Sequence, residues 1–485
     1  MARRTMSLLP HWSSRVFSVE LNGTPFYFST QEKHRGEEVP RVFRENDGRC
    51  YSLLVCSSDT IRRAKFYAEL KDKLLTNLPP ECHLSPMCSF LPNIKDSLLK
   101  GYFLKDTSEC SSLTERLLRD LTQRDPVLVC SYLRGETGGV WTQHLWSDGD
   151  NHTMQMPKDY YVLPAEAPEH HPSTLNIINS DVFYSFEEAY QVLEKCGDII
   201  PEARAVLELL PSREEARRKP DFPVIVIEGL DATGKTTLTE SLRDALGASL
   251  LRSPPHCLSP MRARFDREPP LIRRAFYALG NYITAEQIGQ EGMKTPVIVD
   301  RFWHSTAAYA IATAVSGPVC NLPAEGSEVY CWPSDLLQPS LVVCLTLDPE
   351  ERRRRLRDRG QGKTEEEQEL DHNQLFRLKV EKAYQRISGP ACVTVDASPP
   401  ADQVLQQVLL LIRGKCHLEG AAERRKALHE IIKDPAGMQQ HSSRRPILIR
   451  HQWECMDSGQ GKQPGASHTP GELHLLSLYT VASLC

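Results

Sequence analysis

A chain of 485 residues with 40% hydrophobic and 25% charged side chains has the composition of a globular protein and enough length for two or three domains. A net charge of −5 and a pI near 6.4 give no overall basic field, which argues against nucleic acid as the main partner. No apolar run reaches the roughly 18 residues a membrane-crossing helix needs, and the fifteen cysteines, with no CxxC pair, read as reduced packing thiols.

In chain order, the opening MARRTMSLLPHWSSRVFSVE carries Arg3, Arg4 and Arg15, several serines and no acid before Glu20. That composition predicts a mitochondrial transit peptide over 1–18 and a matrix location, the alternative being a basic N-terminus without a targeting role. Residues 20–215 are expected to form an N-terminal α+β or α/β domain of unknown role. Its signals include a strand at 51–56, an amphipathic helix over 62–78 and a helix over 185–196 between Ser185 and Gly197. Trp141, Trp146 and the pair His170 and His171 stand out by type only and read as core or surface residues. The segment PSREEARRKP at 211–220 predicts an exposed connection between domains.

Beyond it, β-rich runs at 224–228, 249–253, 297–300, 341–347 and 393–397 alternate with helical segments, the last over 401–413. This alternation predicts a parallel sheet covered on both faces, in a domain spanning 220–415. The remainder, 416–485, has no clear period and reads as a disordered or variant C-terminal tail.

Chemistry concentrates in VIVIEGLDATGKTTLTESL, residues 224–242. Gly229, Gly234, Lys235 and Thr236 satisfy G-x-x-x-x-G-K-[ST] between a strand and a helix, the context a phosphate-binding loop requires. The backbone of Gly229, Leu230, Asp231, Ala232, Thr233 and Gly234 is expected to cradle phosphates, with Lys235 following the transferred group and Thr236 offering a metal ligand. No NKxD segment for guanine follows, which argues against a GTPase switch. At the end of the third strand of this region, Asp300 is placed to hold a metal through water and Arg301 to reach phosphates, unless the two are a buried helix cap and its ion-pair partner. The segment DPEERRRRLRDRGQGKTEEEQE at 348–369 pairs Glu350 with Arg354 and Glu351 with Arg355 on a solvated helix face. Arg357, Arg359 and Lys363 then run into a Gly-rich basic loop that can close over a transferring phosphoryl group. An alcohol acceptor requires a carboxylate base, whereas a phosphate acceptor needs only cations. No acid lies in SLLRSPPHC, while Arg262, Arg264, Arg273 and Arg274 follow; Glu268 keeps the alcohol option open.

EGLDATGKTT, RRAFYALGNY, VIVDRFWHSTAAY, a lid similar to RGxGKT, and VDAS together resemble the thymidylate kinase branch of nucleoside monophosphate kinases. The resemblance covers about 222–415. It implies an α/β P-loop nucleoside monophosphate kinase fold with a five-stranded parallel sheet, ATP with Mg2+ as donor, and a pyrimidine monophosphate (dUMP, dCMP, UMP or CMP) as acceptor. It also implies base stacking by Phe276 and the roles of Asp300 and Arg301. Where thymidylate kinases carry a base-reading arginine, this chain has Gly280 beside Asn281, which suits uracil or cytosine. Where one thymidylate kinase type carries a loop arginine, this chain has Ala232, so the lid is expected to supply the cation. Small-molecule nucleotides are the expected partners, and a homodimer is compatible with the sequence. A deoxynucleoside kinase and an ATP-sensing scaffold remain the alternatives.

Overall fold

The computed structural model describes residues 9–31, 43, 48–108, 111–135, 139–146, 153–165, 167–212, 214–358 and 373–416. The expected C-terminal tail and lid residues Arg359 and Lys363 lie outside them.

The N-terminal half is built on a closed antiparallel barrel. Its strands are β1 (Val16–Leu21), β2 (Thr24–Ser29), β3 (Arg49–Val55), β4 (Cys82–Phe90), β5 (Leu99–Asp106), β6 (Val127–Arg134), β7 (Val140–Trp146) and β8 (Thr153–Pro164). They run in the order β1-β2-β8-β7-β6-β3-β5-β4, and closure comes from β1 pairing with both β2 and β4. Closure removes exposed edges, and here the interior is packed: Phe28, Phe43, Phe103, Tyr132, Trp141 and Tyr160 meet ring against ring. Several polar groups inside are paired, as burial demands. Trp12 Nε1 donates to Gln143, Gln143 Nε2 to Tyr132, and Tyr132 Oη to Ser52.

Helices α1 (Thr60–Asn77) and α2 (Ser111–Arg124) lie outside, packing Leu70, Leu74, Leu118 and Leu121 against Tyr51, Leu53 and Val129. Strand β3 is therefore buried on both faces from Cys50 to Val55, and its sequence lacks the apolar–polar alternation of a half-exposed strand. The helix expected at 62–78 is α1, capped by Asp59, which accepts from the amides of Ile61 and Arg62. The arrangement is the α+β alternative rather than α/β. Trp12, Arg15 and Phe17, inside the stretch expected as a leader, are buried in this body.

The second half carries β9 (Val224–Gly229), β10 (Ser249–Arg252), β11 (Val297–Asp300), β12 (Leu341–Thr346) and β13 (Cys392–Asp396). All pair in parallel, in the order β10-β11-β9-β12-β13. This is the five-stranded sheet expected, with β9 central and buried on both faces. The chain leaves β9 toward β10 on one side and later returns to β12 on the other, so the switch point opens at the C-terminal end of β9.

Helices α3 (Phe186–Cys196) and α4 (Pro201–Glu208) precede the sheet in sequence yet share a core with α6 (Ser259–Asp266) and α7 (Pro270–Glu291). Ser185 caps α3 by accepting from the Glu188 amide. The charge-dense segment after α4 is not wholly exposed: Ala216 is buried in the core of the sheet, and Arg217 donates to the carbonyls of Ser334 and Asp335. The barrel reaches the sheet half through Glu20 with Ser316 at 2.8 Å and Lys65 with Glu268 at 3.4 Å.

Leu193 is fully buried in the core shared by α3 and α7. Leu193→Ala is therefore expected to lower stability by about 2–5 kcal/mol, read as a shift of the guanidinium unfolding midpoint followed by circular dichroism.

Candidate active site

At the C-terminal end of β9 the chain turns through a loop that begins helix α5 (Lys235–Leu246). Gly229 has φ +134°, and a Cβ there would stand 2.5 Å from the Leu345 carbonyl oxygen, so no side chain fits. Ala232 is left-handed at φ +64°, a conformation that costs an L-residue about 1–2 kcal/mol. The loop is held from inside: Thr233 Oγ1 donates to Leu230 O at 2.8 Å, and Lys235 Nζ donates to the same oxygen at 2.7 Å.

Asp231 gathers the cations. Arg301 donates to its Oδ1 at 2.5 Å, Lys235 Nζ lies 3.8 Å away, and Arg352 Nε donates to its backbone oxygen at 3.0 Å. Burial alone would raise the Asp231 carboxyl, but Arg301 and Lys235 outweigh it and hold it at about 2. Burial lowers the Lys235 ammonium to about 8, with Arg301 acting in the same sense and Asp231 opposing. Arg301 is itself left-handed at φ +65°, and this turn at the end of β11 aims its guanidinium across at the loop rather than along the sheet.

Glu228 is the buried residue that sequence reading passed over. Its Oε1 accepts from the Phe302 amide at 2.8 Å, and its Oε2 accepts from Ser305 Oγ at 2.5 Å and Tyr384 Oη at 3.3 Å. It thereby satisfies the first turn of α8 (Trp303–Ala314) and locks Asp300 and Arg301 in place. Burial raises its carboxyl, opposed by Ser305 and the Arg301 charge. The available signal was an acid ending an otherwise apolar buried strand.

Helix α9 (Pro349–Asp358) divides its arginines. Arg353 pairs with Glu350, and Arg354 with Glu351, so the expected Glu350 to Arg354 pair is replaced by an i,i+3 contact. The expected Glu351 to Arg355 pair is present. Arg352 is buried against the loop, and Arg355 donates to Ala397 O with its NH1 3.9 Å from where a Gly234 Cβ would stand. Arg357 is exposed at the end of the helix. Sequence periodicity alone did not single out Arg352.

The residues expected on the acceptor side lie on α6 and α7. Phe276 is fully buried and carries Phe265 stacked on its face at 4.5 Å, so a base reaches that face only if Phe265 moves. Asn281 is buried, accepting from Ser253 Oγ at 2.7 Å and donating to Thr306 Oγ1 at 3.1 Å. Gly280 lies under Pro254 and Leu258, where any larger side chain would crowd them. Arg262 donates to Tyr277 Oη and lies 3.5 Å from Asp266. Arg274 reaches Thr313. Glu268 is held between Lys65 and Arg264.

A strand, phosphate loop and helix at the switch point of a parallel sheet, faced by an Asp-Arg pair, define a P-loop phosphotransferase. The family model for thymidylate kinase matches residues 227–408. The chain is 44% identical over 375 residues, 75% of its length and 83% of the relative's, to human "UMP-CMP kinase 2, mitochondrial". It belongs to that family of thymidylate kinase-like nucleoside monophosphate kinases. A "Probable thymidylate kinase" of Picrophilus torridus is 29% identical over 138 residues, 27% of this chain and 65% of that relative. Among solved structures, thymidylate kinase from Candida albicans matches 40% of this chain and 93% of its own, with 21% identity and a TM-score of 0.32.

Glu228→Ala leaves the Phe302 amide and Ser305 without their acceptor, and is expected to cost about 1–3 kcal/mol of stability. Faster hydrogen exchange at the start of α8, with Glu228→Gln retaining most protection, is the measurement that checks it.

Proposed function

We propose that the chain is a mitochondrial pyrimidine nucleoside monophosphate kinase, transferring the γ-phosphoryl group of ATP to UMP, CMP, dUMP or dCMP. The carrying observation is the convergence of Lys235, Arg301 and Arg352 on Asp231 at the phosphate loop. Such chemistry rests on positioning and charge neutralisation rather than on a strong base. Loop amides from Gly229 to Thr236 would grip the donor phosphates, with Lys235 leaving the Leu230 carbonyl to follow the transferred group. Arg301 would turn between Asp231 and the acceptor phosphate.

The residues present fit Mg2+. Asp300 Oδ1 is buried without a hydrogen-bond partner among the described residues, and Thr236 is exposed in the first turn of α5. These two would hold the ion, which when bound neutralises phosphate charge. Arg357, Arg359 and Lys363 are proposed as the closing lid. Asn281, its amide occupied on both sides, would act by positioning Ser253 and Thr306 along the acceptor pocket, and Phe276 and Arg262 would contribute to the same wall. Glu268, the carboxylate that kept an alcohol acceptor open, is engaged by Lys65 and Arg264, which supports a monophosphate over a nucleoside.

The basic N-terminus and the mitochondrial relative support the organelle. Burial of Trp12, Arg15 and Phe17 supports a leader shorter than the expected 1–18. The domain scheme proposed is a barrel unit followed by a kinase unit, with α3 and α4 packed on the kinase.

Lys235→Ala is expected to lower kcat by about 10²-fold or more with an unchanged circular dichroism spectrum. A coupled assay across nucleosides and monophosphates checks both rate and acceptor: turnover of thymidine or deoxycytidine in place of monophosphates would overturn the assignment. Because Lys235 loses its proton as pH rises through about 8, kcat/KM for ATP is expected to fall on that alkaline limb. The fall in kcat should come at higher pH, since bound phosphates hold the proton on.

A further inference from the structure

Where the barrel meets the kinase half, α1, the β4–β5 pair, residues 178–183, α3 and the first turn of α7 enclose a cavity of about 820 Å3. That size falls in the range of about 300–1,000 Å3 used for small molecules. None of its lining residues comes from the phosphate loop or from the Asp300–Arg301 turn, so it is separate from the candidate active site.

Its walls are of two kinds. Leu75, Leu84, Ile178, Phe183 and Leu271 form an apolar surface, beside the Tyr67 and Tyr102 rings stacked at 5.0 Å. Five cations, Arg63, Lys71, Lys95, Lys100 and Lys195, face three acids, Asp96, Asp181 and Glu188, an excess of two positive charges. Lys95 pairs with Glu188, and Arg63 is drawn to Asp96 and Asp59. Among the described residues, Lys71, Lys100 and Lys195 form no ion pair. A single carboxylate would leave most of that charge unmatched. An aromatic body carrying several negative charges matches both walls.

We propose that this cavity is an effector site for a nucleoside triphosphate, with base and sugar against the apolar wall and the phosphates on Lys71, Lys100 and Lys195. The site is linked to the acceptor side by one element: Pro270 and Leu271 of α7 line the cavity, and Phe276, Gly280 and Asn281 follow on the same helix. Occupancy braces the start of α7 between the barrel and α3, and the effect is read as a change in KM for the monophosphate.

The test is calorimetric titration of the full chain with UTP, without Mg2+, while a bisubstrate analogue joining adenosine and uridine through a phosphate chain saturates the active site. A UTP site of unit stoichiometry is expected to persist, and the K71E/K100E/K195E variant to weaken it about tenfold or more with unchanged Tm and unchanged turnover in the absence of UTP. If the triple variant loses its Tm, K100E alone carries the test with about threefold weakening. Absence of UTP binding once the active site is blocked, or equal binding by the folded variant, overturns the proposal. So does binding of the anionic dye anilinonaphthalene sulfonate that UTP does not displace.

Discussion

One carboxylate organises the phosphate-binding edge. Asp231 draws Arg301 from the end of β11, Lys235 from the start of α5 and Arg352 from α9 onto a single turn of backbone. A carboxylate drawn partly out of water is stable only when its charge is met, and here Arg301, 70 positions away, and Lys235, on the same loop, meet it at the side chain while Arg352 binds the backbone oxygen. Two left-handed non-glycine residues, Ala232 and Arg301, sit in this cluster. Their backbone cost is sustained because the surrounding contacts fix them, a common condition at sites where groups are held ready for a ligand.

Glu228 is a second acid at this edge, fully buried one strand position before the loop. It binds no cation directly but satisfies the first turn of α8, so the Asp300–Arg301 turn inherits the rigidity of the central strand. The two acids divide the work by environment: Asp231 is surrounded by cations and stays ionised, while Glu228 is surrounded by hydroxyls and amides and is pushed toward protonation. The barrel bears on this machinery indirectly, through α3 and α4 packed on α7 and through Glu20 on the segment following α8.

Much of the kinase half was legible because it is local. The parallel strands announce themselves as short β-branched runs, and the phosphate loop is a contiguous pattern whose glycines answer to backbone geometry alone. The barrel was illegible as a barrel. Strand β3, covered on both faces, lacks alternation, and closure depends on β1 meeting β4 across about seventy residues of sequence. Phe276 shows the opposite limit: the resemblance implied a stacking platform, but its burial beneath Phe265 is set by a helix eleven residues upstream.

The sequence by itself determined the chemistry class, because a phosphate loop needs only a strand, glycines, Lys235 and Thr236 in one continuous stretch. Only the tertiary structure decided which charges serve it. Arg352 and Arg354 are indistinguishable in a run of four arginines, yet one is buried against Asp231 and the other faces solvent with Glu351. Helical phase separates them, and the backbone oxygen of Asp231, 121 positions away in sequence, gives the buried one its role.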